Sequence, residues 1–167
     1  KSDKDYSEGR EKVKAEYLLT PLNPLSWIKT TRAIWAFEPE QVIIPWWVTF
    51  WGPAFQFVIR GLKKRGIRIA ILIHNTLPHE ARPWDRLLAH LTLKEADRFI
   101  VMTEKEKGRL LNLLPDAENI HIAALPIYNV FKKSAGGKQE SRQRLGLQAD
   151  KPIILFFGFI RAYKGLH

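Results

Sequence analysis

The amino-acid sequence predicts an α/β protein with a doubly wound parallel sheet, and three observations carry that prediction. Ile69 to Ile73 is a continuous apolar run that begins after Gly66 and stops at His74, with Pro78 closing off further ladder pairing. A run of this kind reads as a strand buried on both faces, which is the habit of parallel sheets covered by helices. From Val42 to Ala124, apolar strands alternate with amphipathic helical stretches, the signature of right-handed strand-helix-strand crossovers. A further apolar run, Ile153 to Phe157, repeats the pattern after a charged, glycine-containing stretch at Lys132 to Lys138.

Taken in order, Lys12 to Leu19 predicts a short strand leading into Pro21 and Pro24. Ser26 is the expected N-cap of a helix that runs to Phe37 and is stopped by Pro39. Val42 to Ile44 is the next strand, and Trp46, Trp47, Phe50 and Trp51 follow it. Aromatics past a strand end either lie in the core beneath the next helix or form a stacking platform for a sugar or base, and the sequence leaves both open. The helix after Pro53 ends in Lys63, Lys64, Arg65 and Gly66, where cations complement the helix dipole and glycine supplies a left-handed stop.

Beyond the Ile69 to Ile73 strand, Trp84 to Ala96 is predicted as a helix and Phe99 to Met102 as a strand. Thr103 and Glu106 match a capping box, which starts a helix at Glu104 that ends before Pro115. Ile120 to Ala124 is a strand and Glu140 to Leu145 a short helix closed by Gly146. No internal repeat is evident. The expected organisation is a domain over residues 1–131, a linker with a short helix over 132–150, and the first strand and loop of a second α/β domain over 151–167.

With 167 residues and a hydrophobic share of 46%, the chain has material for a real core. The absence of cysteine excludes disulfide scaffolds and cysteine-based zinc or nucleophile sites. A net charge of +10 implies attraction to anions without choosing among nucleic acid, phosphate-bearing substrates and acidic membrane surfaces. The basic residues are scattered among helix ends with no nucleic-acid motif, so nucleic acid is not an expected partner. The first residues, KSDKDYSEGREKVK, contain no apolar segment of a secretory signal. Val42 to Ile59 is uncharged, but Pro45, Gly52 and Pro53 break it, so it reads as strand, turn and helix rather than a membrane span.

In open parallel sheets ligands gather past the carboxyl ends of the strands. His74, Asn75, His79 and Glu80 all fall there. Simple capping of a strand end is the competing reading. Imidazole and carboxylate together invite a metal, but the histidines are not one helical turn apart and Pro78 separates them, so no metal is expected. No Gly-x-Ser-x-Gly elbow supports a nucleophilic triad. A second site candidate is FFGFIRAYKG, residues 156–165, in which a strand, a glycine turn, Arg161, Lys164 and a second glycine before a helix start would gather donors around an anion.

Pro21-Leu22-Asn23-Pro24, His74-Asn75 with Leu77-Pro78-His79-Glu80, the stretch Ala96 to Val101, and FFGFIRAYKGL together resemble glycosyltransferase family 4, from about Tyr17 onward. The resemblance implies a GT-B architecture, with two Rossmann-like domains facing across a cleft, the first receiving the acceptor and the second the nucleotide sugar. It implies transfer with retention, no metal or other cofactor, and a polysaccharide or lipid-linked acceptor. His74 then matches the histidine facing the transferring sugar, and Asn75, His79, Glu80, Trp46 and Trp47 fall on the acceptor side. Gly158, Arg161 and Lys164 match the loop that contacts the donor diphosphate. The family places arginine directly after the strand-ending glycine, whereas this chain has Phe159 there and Arg161 two residues on. The glycine-rich loop near the family's amino terminus and the donor-domain glutamates have no counterpart in the sequence.

On this reading the chain is the acceptor half of a cytoplasmic enzyme, inactive alone, drawn to the inner face of an anionic membrane through Lys63, Lys64 and Arg65 if its acceptor is lipid-linked. Ile153 to Phe157, a strand expecting partners, would be poorly ordered or pair with another surface, self-association included. The competing reading is a non-catalytic basic α/β module that binds an anionic partner.

Overall fold

The computed structural model describes residues 15–78, 80–125, 137–158, 160 and 165. The chain divides into two compact units, Lys1–Ala123 and Ala124–His167. The first is a Rossmann-like α/β unit. Its four strands, β1 (Gln41–Trp46), β2 (Arg68–Ile73), β3 (Arg98–Val101) and β4 (Ile120–Ile122), form one parallel sheet in the order β1-β2-β3-β4. The helices are α1 (Pro24–Phe37), α2 (Gly52–Lys63), α3 (Pro83–Leu93) and α4 (Glu104–Leu113), with a single 3-10 turn at Thr49–Trp51.

Each crossover moves one strand in the same direction, so right-handed connections put α2, α3 and α4 on one face of the sheet. The side chains alternate accordingly. Ile44, Trp46, Ile69, Ile71, Ile73, Phe99 and Val101 point into the core shared with Val58, Ile59, Leu62, Leu93 and Leu110. On the opposite face Ile43 is 58% exposed, and Leu72 and Ile100 are half-buried. These strands thus make one wing of the doubly wound arrangement.

The local rules explain most boundaries. Helix α1 starts at Asn23 rather than Ser26: the Asn23 side chain accepts from the Leu25 N–H at 3.1 Å, and Pro24 occupies the first turn, where its missing N–H costs nothing. Ser26 is buried inside the helix instead, donating to Asn23 O at 2.6 Å and accepting from Thr20 N at 3.0 Å. Residues 15–19 form no strand; the rest of that predicted strand lies outside the described residues. Strand β1 runs through Pro45, longer than expected, because it is the outermost strand among the described residues and an edge tolerates a residue without an N–H. Gly66 has φ 73 and ends the α2 region as the sequence predicts. Helix α4 begins at Glu104 under a Thr103 cap, with Thr103 Oγ1 accepting from Glu106 N at 3.2 Å.

Asp97 fastens the start of β2. Its carboxylate accepts from Ile69 N at 2.7 Å and from Lys63 Nζ at 3.0 Å. Burial pushes this carboxyl up, but the Ile69 and Lys63 interactions outweigh it and hold the group below the usual carboxylate range. Lys63 also donates to Glu95 O, Arg60 pairs with Glu95 at 2.9 Å, and the Arg65 guanidinium lies 4.2 Å from the Trp35 ring. Two of the three cations at the end of α2, Lys63 and Arg65, are therefore spent within the fold. Among the described residues, no helix is long and apolar enough to cross a membrane.

The second unit contains α5 (Lys138–Arg144), which starts two residues before the predicted Glu140 and is closed by Gly146 at φ 64. Arg142 donates to the carbonyls of Gln148 and Lys151, tying the segment after the helix back to it. Ile153 to Phe157 forms no strand, contrary to the sequence expectation. A parallel strand exists only by pairing, and the described part of this unit supplies no second strand. Ile154, Leu155 and Phe157 are consequently exposed.

Candidate functional site

The carboxyl ends of β1 and β2 are neighbours, in register as Trp46 opposite Ile73. One residue beyond them stand Trp47 and His74. Their rings meet edge to face, 6.5 Å between centroids and 81° between planes. His74 is exposed and Trp47 is 44% exposed, so the structure brings these two together at the open rim. The backbone beneath is fixed, since His74 N–H donates to Trp46 O at 2.9 Å and continues the ladder by one bond.

Trp46 does not belong to this surface. It is fully buried in the core, and its indole Nε1 donates to Thr76 O at 3.2 Å. The sequence expectation of Trp46 as an acceptor contact is corrected on that ground: with β1 extended through Pro45, residue 46 falls on the helix-covered face. Trp51 stacks on Phe55 at 5.6 Å and is half-buried. The run of aromatics thus splits between core and rim, with Trp47 and Phe50 left outside. Asn75 is half-buried and Glu80 exposed. His79 lies outside the described residues, as do Arg161 and Lys164. Gly158 adopts φ 131, a conformation that favours glycine.

The residues that hold the rim are ones the sequence reading did not single out as site residues. Thr76, three positions past β2, is 0% exposed, and both its N–H and its hydroxyl donate to Glu106 Oε2 at 2.9 Å. Arg109 donates to the other oxygen of that carboxylate at 2.5 Å. Thr103 and Glu106 were expected to form a reciprocal capping box. Only half of it forms, because the Glu106 side chain reaches Thr76 instead of turning back to its own cap. Burial raises the Glu106 carboxyl, but the Thr76 N–H, the Thr76 hydroxyl and then Arg109 outweigh that and hold it below the usual range. It remains an ionised acceptor at neutral pH.

The turn after β1 is held in the same manner. Thr49 donates its hydroxyl to the buried Asp85, whose other oxygen accepts from Arg82 N at 2.7 Å. Asp85 and Glu106 are each the third residue of their helix, and a carboxylate at that place favours the positive end of the helix dipole. Among the described residues, no group of three histidine, cysteine, aspartate or glutamate side chains is placed to hold a metal ion.

Comparison of the chain with family models, curated proteins and solved structures finds no match.

Proposed function

We propose that this chain is part of a retaining glycosyltransferase that moves a sugar from a nucleotide sugar to a polysaccharide or lipid-linked acceptor. The observation that carries the proposal is the exposed His74–Trp47 pair past the carboxyl ends of adjacent parallel strands, the place where open α/β sheets take ligands. An indole face packs on the C–H surface of a pyranose, and the imidazole beside it hydrogen-bonds a hydroxyl of the same ring. Latching the loop through a buried carboxylate fits the need to hold such a contact to within a fraction of an ångström. Gly158, Arg161 and Lys164 are proposed for the donor diphosphate, where cations and backbone N–H groups stabilise the leaving group.

The test uses the protein expressed from its full coding sequence, following nucleoside diphosphate release from a panel of nucleotide sugars with polysaccharide and lipid-linked acceptors. Turnover is expected to fall at least ~100-fold in His74→Ala, with the anomeric configuration retained in the product. Near-normal turnover in a folded His74→Ala protein removes the histidine from the site. Absence of release with every donor favours the competing reading, a non-catalytic basic module that binds an anionic partner.

A further inference from the structure

We infer that the outer face of α1 and α2 is a docking surface for an anionic lipid bilayer. The inference stands on this face alone and is independent of the catalytic reading. Between the two helices lies an open groove of about 570 Å³ lined by Trp27, Ile28, Trp35 and Phe57, with Arg32 and Lys64 on its rim. Trp27 and Phe57 hold its floor, 5.8 Å between ring centroids. Gly61 lets the helices approach closely enough to form it: a Cβ there would sit 2.7 Å from Thr31 Cγ2.

Charge decides the occupant. No aspartate or glutamate occurs in residues 17–37 or 41–79, the stretches that build both helices. The cations nearby divide into two sets. Arg60, Lys63 and Arg68 are paired with Glu95, Asp97 and Glu40, and Arg65 covers Trp35. Lys29, Arg32 and Lys64 are exposed and have no carboxylate partner among the described residues. Of these free cations Arg32 and Lys64 line the apolar groove, and Lys29 lies one turn before Arg32 on α1.

Two features favour lipid over an acidic protein. Leu22 and Leu25 stand 80% and 75% exposed on the approach to α1 and in its first turn, as single protruding side chains rather than as walls of a shaped pocket. Trp27 adds an amphipathic ring suited to the headgroup level. Protruding apolar chains that enter the acyl boundary while Lys and Arg reach phosphates above it are the composition of an interfacial helix. A second copy of the chain is disfavoured, since it would bring the same cations face to face.

Sedimentation of the full chain with vesicles tests the inference. Vesicles of phosphatidylcholine alone are compared with equal parts phosphatidylcholine and phosphatidylglycerol, at about 0.1 M and about 1 M salt, where the screening length falls from roughly 10 to 3 Å. Binding is expected on the anionic vesicles only, and it weakens with salt. The triple variant Lys29→Glu, Arg32→Glu, Lys64→Glu lowers partitioning at least ~100-fold, roughly fivefold for each cation removed. Leu25→Ser with Ile28→Ser lowers it at least ~10-fold by removing chains that enter the acyl boundary. All five side chains are exposed, so the variants should fold, which circular dichroism verifies. Absence of binding to anionic vesicles, equal binding to neutral ones, or indifference to the triple variant overturns the inference. Binding of soluble polyglutamate without binding of vesicles overturns it too, and assigns the face to an acidic protein.

Discussion

Removing the Glu106 carboxylate should loosen the loop that carries His74, and the size of the effect follows from its partners. Thr76 is wholly buried and presents two donors to one oxygen, at 2.9 Å each. In Glu106→Ala the Thr76 N–H loses its acceptor and the hydroxyl keeps only the long 3.5 Å contact to the carbonyl of residue 106, at about 1–3 kcal/mol for each buried group left unsatisfied. The carboxylate no longer bears its own burial cost, which offsets part of the loss, and the half-exposed Arg109 adds little. A net destabilisation of about 3 kcal/mol is expected. Glu106→Gln keeps an acceptor oxygen for Thr76 and should lose about 1 kcal/mol, the charge-assisted part. Urea unfolding followed by tryptophan fluorescence is the assay, because all six tryptophans lie between Trp27 and Trp84, within the first unit. With a slope of about 1–3 kcal/mol per molar, the alanine variant should shift its midpoint by about 1–3 M. The acid range supplies a second readout. The folded-state pKa of Glu106 is lowered, so its contribution is complete above the unfolded value of about 4.3 and is lost as pH falls through the folded value. The stability gap between the native chain and Glu106→Gln should therefore persist at pH of about 4.3 and close only below it. An alanine variant within about 0.5 kcal/mol of the native chain would refute the latch.

Two further substitutions separate core from rim and test the helix joint. Trp46→Ala should cost about 3–5 kcal/mol by leaving a cavity under β1, whereas Trp47→Ala should change the urea midpoint little and weaken oligosaccharide binding instead; equal stability losses in both would erase the distinction. Gly61→Ala should destabilise the first unit by about 1–3 kcal/mol despite alanine's better helix propensity, since the new methyl meets Thr31 Cγ2 at 2.7 Å. Adding Thr31→Ser removes that methyl group and should recover most of the loss in thermal unfolding, and failure to recover would place the strain elsewhere.

What the sequence made legible follows the strength of the local rule. Ile69 to Ile73 could be read as a buried strand because five apolar residues bounded by Gly66 and Pro78 are too short a run for a buried helix and suit a covered sheet, and Thr103 and Gly66 declared their caps through side-chain and backbone chemistry that depends on near neighbours alone. Ser26 misled because Ser and Asn are comparable caps, and only Pro24, whose preferred place is the first turn, decides between them. Trp46 misled because Pro45 looked like the end of a strand; the outermost position of β1, a property of the whole sheet, makes the proline tolerable. The latch of Glu106 on Thr76 was half legible. A glutamate three residues after a threonine announces a helix start, but its partner lies 30 residues back and only the pairing of β2 with β3 brings the two together.

The two latches are one device used twice. Asp85, at the third position of α3, grips Thr49, the third residue past β1; Glu106, at the third position of α4, grips Thr76, the third residue past β2. In both cases the helix belongs to the next strand-helix unit along the sheet, so the repeat is offset by one unit although the two sequences share no evident similarity. The geometry requires this offset. Parallel crossovers bring the start of each helix back over the carboxyl ends of the strands, and a carboxylate there is favoured both by the helix dipole and by the otherwise unpaired donors of the neighbouring loop. The third residue past each strand is thereby fixed and buried, while the first, Trp47 or His74, keeps an exposed side chain at the rim, with the His74 backbone held by its bond to Trp46 O. A latch at the first residue would have buried the very groups that face outward. Placed two residues further on, it stiffens the loop from behind and leaves the imidazole and the indole presented side by side.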